Sequence, residues 1–169
     1  MYEEDIIAAD RIFANADAEY RTCNLSVRGG ASLEFIKPDV HAYASGTKEW
    51  RGEIFALALW QPTNSLTVGG GIRGAFVTGM NIPVQPAFDI KYRVINPMND
   101  TRVGAGYAIH DLSLRASVSK SAKVPTLNDR YWGGVAENLK AESGTTYEFG
   151  ADYSALYKSW EFKGFATVY

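Results

Sequence analysis

Residues 86–95, PAFDIKYRVI, alternate with period two: Phe88, Ile90, Tyr92 and Val94 fall on one side, and Asp89, Lys91 and Arg93 on the other. Successive side chains of a strand point to opposite faces, so this segment has one apolar face and one charged face. The same separation recurs on both sides of it. Residues 65–77 set Leu66, Val68, Ile72 and Phe76 against Thr67, Gly69, Gly71 and Arg73. Residues 107–119 set Leu112, Leu114, Ala116 and Val118 against Asp111, Ser113, Arg115, Ser117 and Ser119, and residues 145–153 set Tyr147, Phe149, Ala151 and Tyr153 against Thr146, Glu148 and Asp152. Residues 17–28, 31–37, 50–60 and 160–169 bring the number of strands to about eight, with Gly29-Gly30 and Gln61–Asn64 as turns. In residues 50–60 both faces carry apolar side chains, and alternation alone does not say which is which. Residues 1–16, MYEEDIIAADRIFANA, read as irregular or as a short helix.

No reliable helix lies between these strands, which disfavours βαβ architectures and makes the expected class antiparallel all-β. Several strands reach ten or more residues, against a mean of about 5–6 in globular proteins and about 9–11 for a tilted strand crossing a bilayer. Tyr and Trp gather near strand ends, as at Trp50, Trp60, Tyr107, Tyr131-Trp132, Tyr153, Tyr157 and Trp160, the arrangement of interfacial girdles on a membrane barrel. Strand length and aromatic placement favour an antiparallel meander of long strands in a transmembrane β-barrel over a soluble β-sandwich, in which edge aromatics also occur. The longest uncharged stretch, IFALALWQPTNSLTVGGGI over residues 54–72, is no membrane helix, because a Gln-Pro-Thr-Asn turn interrupts it and three glycines end it.

Composition removes several functions. Over 169 residues, 17 Lys and Arg face 19 Asp and Glu for a net charge of −2, with no basic run; a nucleic-acid partner is not expected. One cysteine, Cys23, reads as an unpaired wall residue, and with His41 and His110 the only histidines there is no Cys/His zinc pattern. Glu3, Glu4 and Asp5 have no further ligand at metal spacing and read as a solvated terminus. The run GGGIRG at 69–74 satisfies G-x-G-x-x-G, with Asp89 twenty residues beyond Gly69, yet residues 72–77 continue as a strand where a dinucleotide site needs a helix N-terminus. No cofactor is expected. His110 beside Asp111 has no accompanying nucleophile, so no catalytic constellation emerges and the chain is not read as an enzyme.

The sequence from His110 onward, HDLSLRASVSKSAKVPTLNDRYWGG and then NLKAESGTTYEFGADY at 138–153, resembles the signature hairpin of TonB-dependent outer-membrane receptors. Val124, Pro125, Thr126, Leu127, Asn128, Asp129 and Tyr131 match its first part; Asn138, Leu139, Lys140 and Glu142 its second; Tyr147, Glu148 and Gly150 its third. Ala122 replaces the family's Phe, and both prolines of the usual Asn-Pro-x-Leu-Lys-Pro-Glu are missing. LTVGGGIRGAF at 66–76 and VQPAFDIKYRV at 84–94 are similar to the family's preceding hairpin. The wording looks closest to the cobalamin and siderophore branch.

The resemblance implies a bacterial outer-membrane receptor for TonB-energised uptake of a large nutrient: a ferric siderophore, cobalamin or an oligosaccharide. Such receptors close about 22 strands around a plug, so residues 1–169 are expected to be part of the wall of one barrel domain, with no plug in this stretch. The implied partners are outer-membrane lipid, the plug and remaining strands, the TonB complex through those parts, and the nutrient. The loop at 128–138 lies on the outer side in such a receptor, and Arg130, Tyr131 and Trp132, next to flexible glycines, suit stacking and hydrogen bonding to a ligand. The remaining motif residues read as structural. An alternative is a small self-contained outer-membrane barrel with a structural or adhesive role, since eight strands suffice to close one.

Overall fold

The computed structural model describes residues 8–40, 43, 46–95, 109–131 and 139–169. Eight strands follow one another: β1 (Ala8–Arg21), β2 (Leu25–Asp39), β3 (Glu49–Thr63), β4 (Leu66–Val77), β5 (Gln85–Ile95), β6 (Ile109–Lys123), β7 (Glu142–Tyr157) and β8 (Trp160–Val168), with one short helix, α1 (Leu127–Tyr131), between β6 and β7. Every strand pairs antiparallel with the next, giving one sheet in the order β1 to β8. No described helix is long and apolar enough to cross a membrane; the strands, from 9 residues in β8 to 16 in β7, reach or exceed the roughly 9–11 needed to cross one.

Register carries a single two-faced pattern through the sheet, because residues directly opposite each other point the same way. Val68, Ile90, Ala116 and Phe149 form one continuous apolar row across β4 to β7, and Gly69, Asp89, Ser117 and Glu148 form the adjacent row on the other face. The sidedness of β3 is thereby decided. Trp50, Ile54, Ala56, Ala58 and Trp60 align with the apolar face through Phe35, Gly74, Ile72, Gly70 and Val68, whereas Arg51, Glu53, Phe55 and Leu57 join the charged face. Large apolar side chains remain exposed along the apolar face, among them Ile54, Ile90, Leu114 and Phe149, as a lipid-facing surface requires. The Phe35 and Trp50 rings, 4.7 Å apart, mark one end of that face, and Tyr20, Trp60, Tyr157 and Trp160 mark the other. Beyond the first aromatic pair, Asp10 stands opposite Lys37 on the same face.

The charged face is laced by ion pairs: Arg11 to Glu34 at 2.9 Å, Arg28 to Asp17 at 2.9 Å, Arg73 to Glu53, and Arg93 to Asp111 at 3.3 Å. Among the described strands β1 and β8 do not touch, so the sheet has two open edges and does not close into a small barrel.

Four expectations are corrected. Residues 8–16 are strand, not helix or irregular chain: Ile12, Ala14 and Ala16 meet Phe35, Leu33 and Ala31 across the ladder, and this pairing overrides the helix preference of the alanines. The first turn lies at residues 22–24, where Thr22 N–H donates to the Leu25 carbonyl at 2.7 Å, and it contains Cys23, which is a turn residue and not a wall residue. Gly29 and Gly30 lie inside β2. Gly30 is there for close approach, since a Cβ would come within 2.7 Å of Asp17 Cβ and 2.9 Å of the Ala16 carbonyl. Finally, a helical turn, α1, does intervene between strands.

Because the sheet is a single layer, few side chains are buried. Ile36, Val77 and Ile82 are, together with Glu49, toward the end of the sheet that carries α1, and Ser113 and Ala155 are toward the other end.

Candidate functional site

Beyond β6 the chain runs through Val124-Pro125 into α1. Thr126 starts the helix as its cap: Asp129 N–H donates to Thr126 Oγ1 at 3.2 Å, while Asp129 Oδ2 accepts from Thr126 N–H at 3.0 Å and from its hydroxyl at 2.8 Å. This is a reciprocal capping box with Asp as the acid. The hydrogen bonds from the Thr126 side chain and then from its backbone hold the Asp129 carboxyl below the usual carboxylate range. The Thr-Leu-Asn-Asp part of the signature is thus a folding instruction for a single turn.

That turn carries Arg130 and Tyr131 back over the charged face to the start of β3. Glu49, fully buried and opposite Ile36 in the register, accepts from the Arg130 guanidinium, from Tyr131 O–H at 3.1 Å and from Arg51 Nε at 2.6 Å. Arg130 also donates through Nη2 to the Thr78 carbonyl at 2.6 Å, and its side chain is only 8% exposed. A dry carboxylate is stable only with such a donor set, and removing one partner of a buried pair costs about 3–5 kcal/mol. Burial first, and then the Glu49 charge, push the Tyr131 phenol up from its ordinary value.

Two further connections join this cluster. Thr78 is held by β3, its hydroxyl accepting from Trp50 N–H at 2.9 Å and its own N–H donating to the Trp50 carbonyl at 3.0 Å. Gly79 follows with φ +74°, a conformation open to glycine, and closes the turn in which Met80 N–H reaches the Val77 carbonyl at 3.0 Å. Tyr43, between β2 and β3, donates its hydroxyl to Asn128 Oδ1 and places its ring 6.0 Å from that of Tyr131. A recess of about 300 Å³ adjoins it, with Phe13, Glu34, Arg51, Val77, Ile82 and Val124 in its lining.

The structure gives Arg130 and Tyr131 one shared partner, Glu49. Trp132 and Asn138 lie outside the described residues, as do Glu3, Glu4, Asp5, His41 and Tyr107. Leu139 and Lys140 are exposed beyond the loop, and Glu142 opens β7 opposite Lys123. Tyr147 meets Val118 on the apolar face, while Glu148 and Gly150 are on the charged face, where Arg115 lies against Gly150 and reaches Glu148 at 3.6 Å, Asp152 at 3.9 Å and Thr167 Oγ1 at 2.7 Å. His110 and Asp111 point to opposite faces and form no pair; His110 Nδ1 lies 2.7 Å from the Tyr153 hydroxyl and Asp111 holds Arg93. The glycines of GGGIRG sit inside β4, with no helix following. Glu49, Tyr43 and Thr78 do not stand out in the sequence; the one signal there is the alternation Glu49, Arg51, Glu53, which puts three charges on one strand face.

Replacing Thr126 by alanine is expected to speed amide exchange in residues 128–131 by roughly fivefold, the effect of a lost N-cap, as measured by hydrogen exchange. The pH dependence has a definite sign. Asp129 is lowered from 3.8, so its contribution to holding the turn is full above that value and is lost as pH falls through the lower, folded value.

The cluster is a brace that ties α1 to β3 and to the β4–β5 turn; among the described residues no group of three or more His, Cys, Asp or Glu could hold a metal ion. The family model for the β-barrel of TonB dependent receptor-like proteins matches residues 7–169, while no curated protein matches the chain. Proteins of that family are outer-membrane receptors and transporters of bacteria, not enzymes. The match spans nearly the whole sequence and agrees with a meander whose two faces differ as lipid and lumen do, so the chain belongs to the β-barrel family of TonB-dependent receptors.

Proposed function

We propose that residues 1–169 form part of the barrel wall of a receptor that takes up a large nutrient, a ferric siderophore, cobalamin or an oligosaccharide, with energy delivered by the TonB complex. The observation that carries this reading is the open-edged, two-faced sheet with its signature turn folded onto the charged face. An open arc leaves strand edges that further wall strands would pair, and a charged inner face suits a lumen filled by a plug. The apolar face is assigned to outer-membrane lipid. Ligand contact is assigned to Tyr131 and Trp132, while Arg130 is engaged by Glu49. The cobalamin and siderophore branch is preferred on the wording of the signature.

The test is uptake. A strain lacking the gene is expected to lose accumulation of one of the three labelled nutrient classes, and a strain lacking TonB function is expected to show the same loss. Normal uptake of all three, together with a native polypeptide of about 18.6 kDa in the membrane fraction, would overturn this reading.

A further inference from the structure

Glu49 is the one charged residue with no solvent exposure among the described residues, and two of its three donors come from α1, 81 and 82 positions further along the chain. Between its own strand, β3, and the strand that leads to α1, β6, lie β4 and β5. The ion pair therefore draws the signature turn across three strand spacings. Displacing α1 would leave a dry carboxylate with Arg51 alone and would separate Arg130 from both its partners, so the turn has one favoured seat.

The same seat collects the neighbouring connections. Arg130 holds the β4–β5 turn at the Thr78 carbonyl, and Asn128 holds the β2–β3 connection through Tyr43. We propose that Glu49 is the positioning residue of this rim: its buried carboxylate latches α1 onto β3, ties Tyr43, residues 78–84 and residues 124–131 into a single unit, and thereby sets how Tyr131 is presented to a ligand. Glu49 itself touches no ligand. Only the last consequence rests on the receptor reading; the latch does not.

The experiment is hydrogen exchange followed by mass spectrometry on the native protein purified from its membrane in detergent, for wild type, Glu49→Gln, Arg130→Gln and the double variant, with no ligand added. Each single variant is expected to speed exchange at least tenfold at residues 126–131 and also at Tyr43. Exchange in β6 and β7 should not change. The double variant is expected to be no faster than the faster single one, because the two side chains act through one pair. Where a variant fails to assemble, Tyr131→Phe removes one donor and keeps the charges, with two- to fivefold faster exchange expected at the same segments. Changes confined to residues next to each substitution, or rates that multiply in the double variant, would overturn the latch. No change in the Tyr131→Phe protein would do the same. Because no ligand is used, failure here leaves the uptake experiment standing, and failure of uptake leaves the latch standing.

Discussion

Replacing Ile90 by arginine is expected to destabilise the folded protein in lipid by about 2–4 kcal/mol, the cost of a cation near the middle of a barrel's lipid face. Ile90 is central in β5, lies between Val68 and Ala116 in the register, and is exposed on the apolar face. Arginine at Ser117 is the control. It stands opposite both Asp89 and Glu148 on the charged face, so the added cation meets two carboxylates and stability should change by less than about 1 kcal/mol. The measurement is reversible folding of the native protein into lipid vesicles against denaturant, read by its heat-modifiable electrophoretic mobility. Equal costs at the two positions would sink the assignment of faces and, with it, the membrane orientation of the sheet.

The second large effect concerns packing. Valine at Gly30 is expected to cost about 2–3 kcal/mol, at the upper end for overpacking, because the new Cβ would press on Asp17 Cβ at 2.7 Å, the Ala16 carbonyl at 2.9 Å and the Phe55 ring at 2.8 Å. Two of these three belong to backbone or its first side-chain atom in β1 and cannot swing aside. Trimming Phe55 to alanine in the same chain is expected to recover only part of the loss. Alanine at Gly164, where nothing lies within 4 Å, should be neutral or mildly stabilising. A Gly30→Val protein that folds as stably as wild type would show that β1 does not lie against β2 in this register.

How much of the fold is legible in the sequence depends on how strongly each segment obeys period two. In β5 every apolar residue from Phe88 to Val94 falls on one face, and the strand is found within a residue of its expected bounds. β3 is ambiguous on its own because Phe55, Leu57 and Leu59 sit on the charged face, opposite Arg73, Gly71 and Gly69 of β4, a location that only the partner strands define. The first half of β1 escapes a sequence reading because alanine is small enough to suit either a helix or a ladder, and its identity as a strand is decided by β2 alongside it. The Gly29-Gly30 pair resembles a turn for a related reason: glycine marks both tight turns and close strand contacts, and only the neighbouring chain distinguishes them.

The candidate site divides along the same line. Thr126 to Asp129 is a local device, three residues apart and self-contained, yet it is not legible in the sequence, because a single helical turn is too short to show a helical period. The chain by itself determined an antiparallel, two-faced meander of long strands and a signature hairpin at its later end, because alternation and motif spacing act between residues close in sequence. Only the tertiary structure decided the sidedness of β3, the open edges at β1 and β8, and the choice of Glu49 as the partner of Arg130 and Tyr131. Those outcomes join residues up to 82 positions apart, where a buried carboxylate takes whichever donors the sheet's register brings within reach.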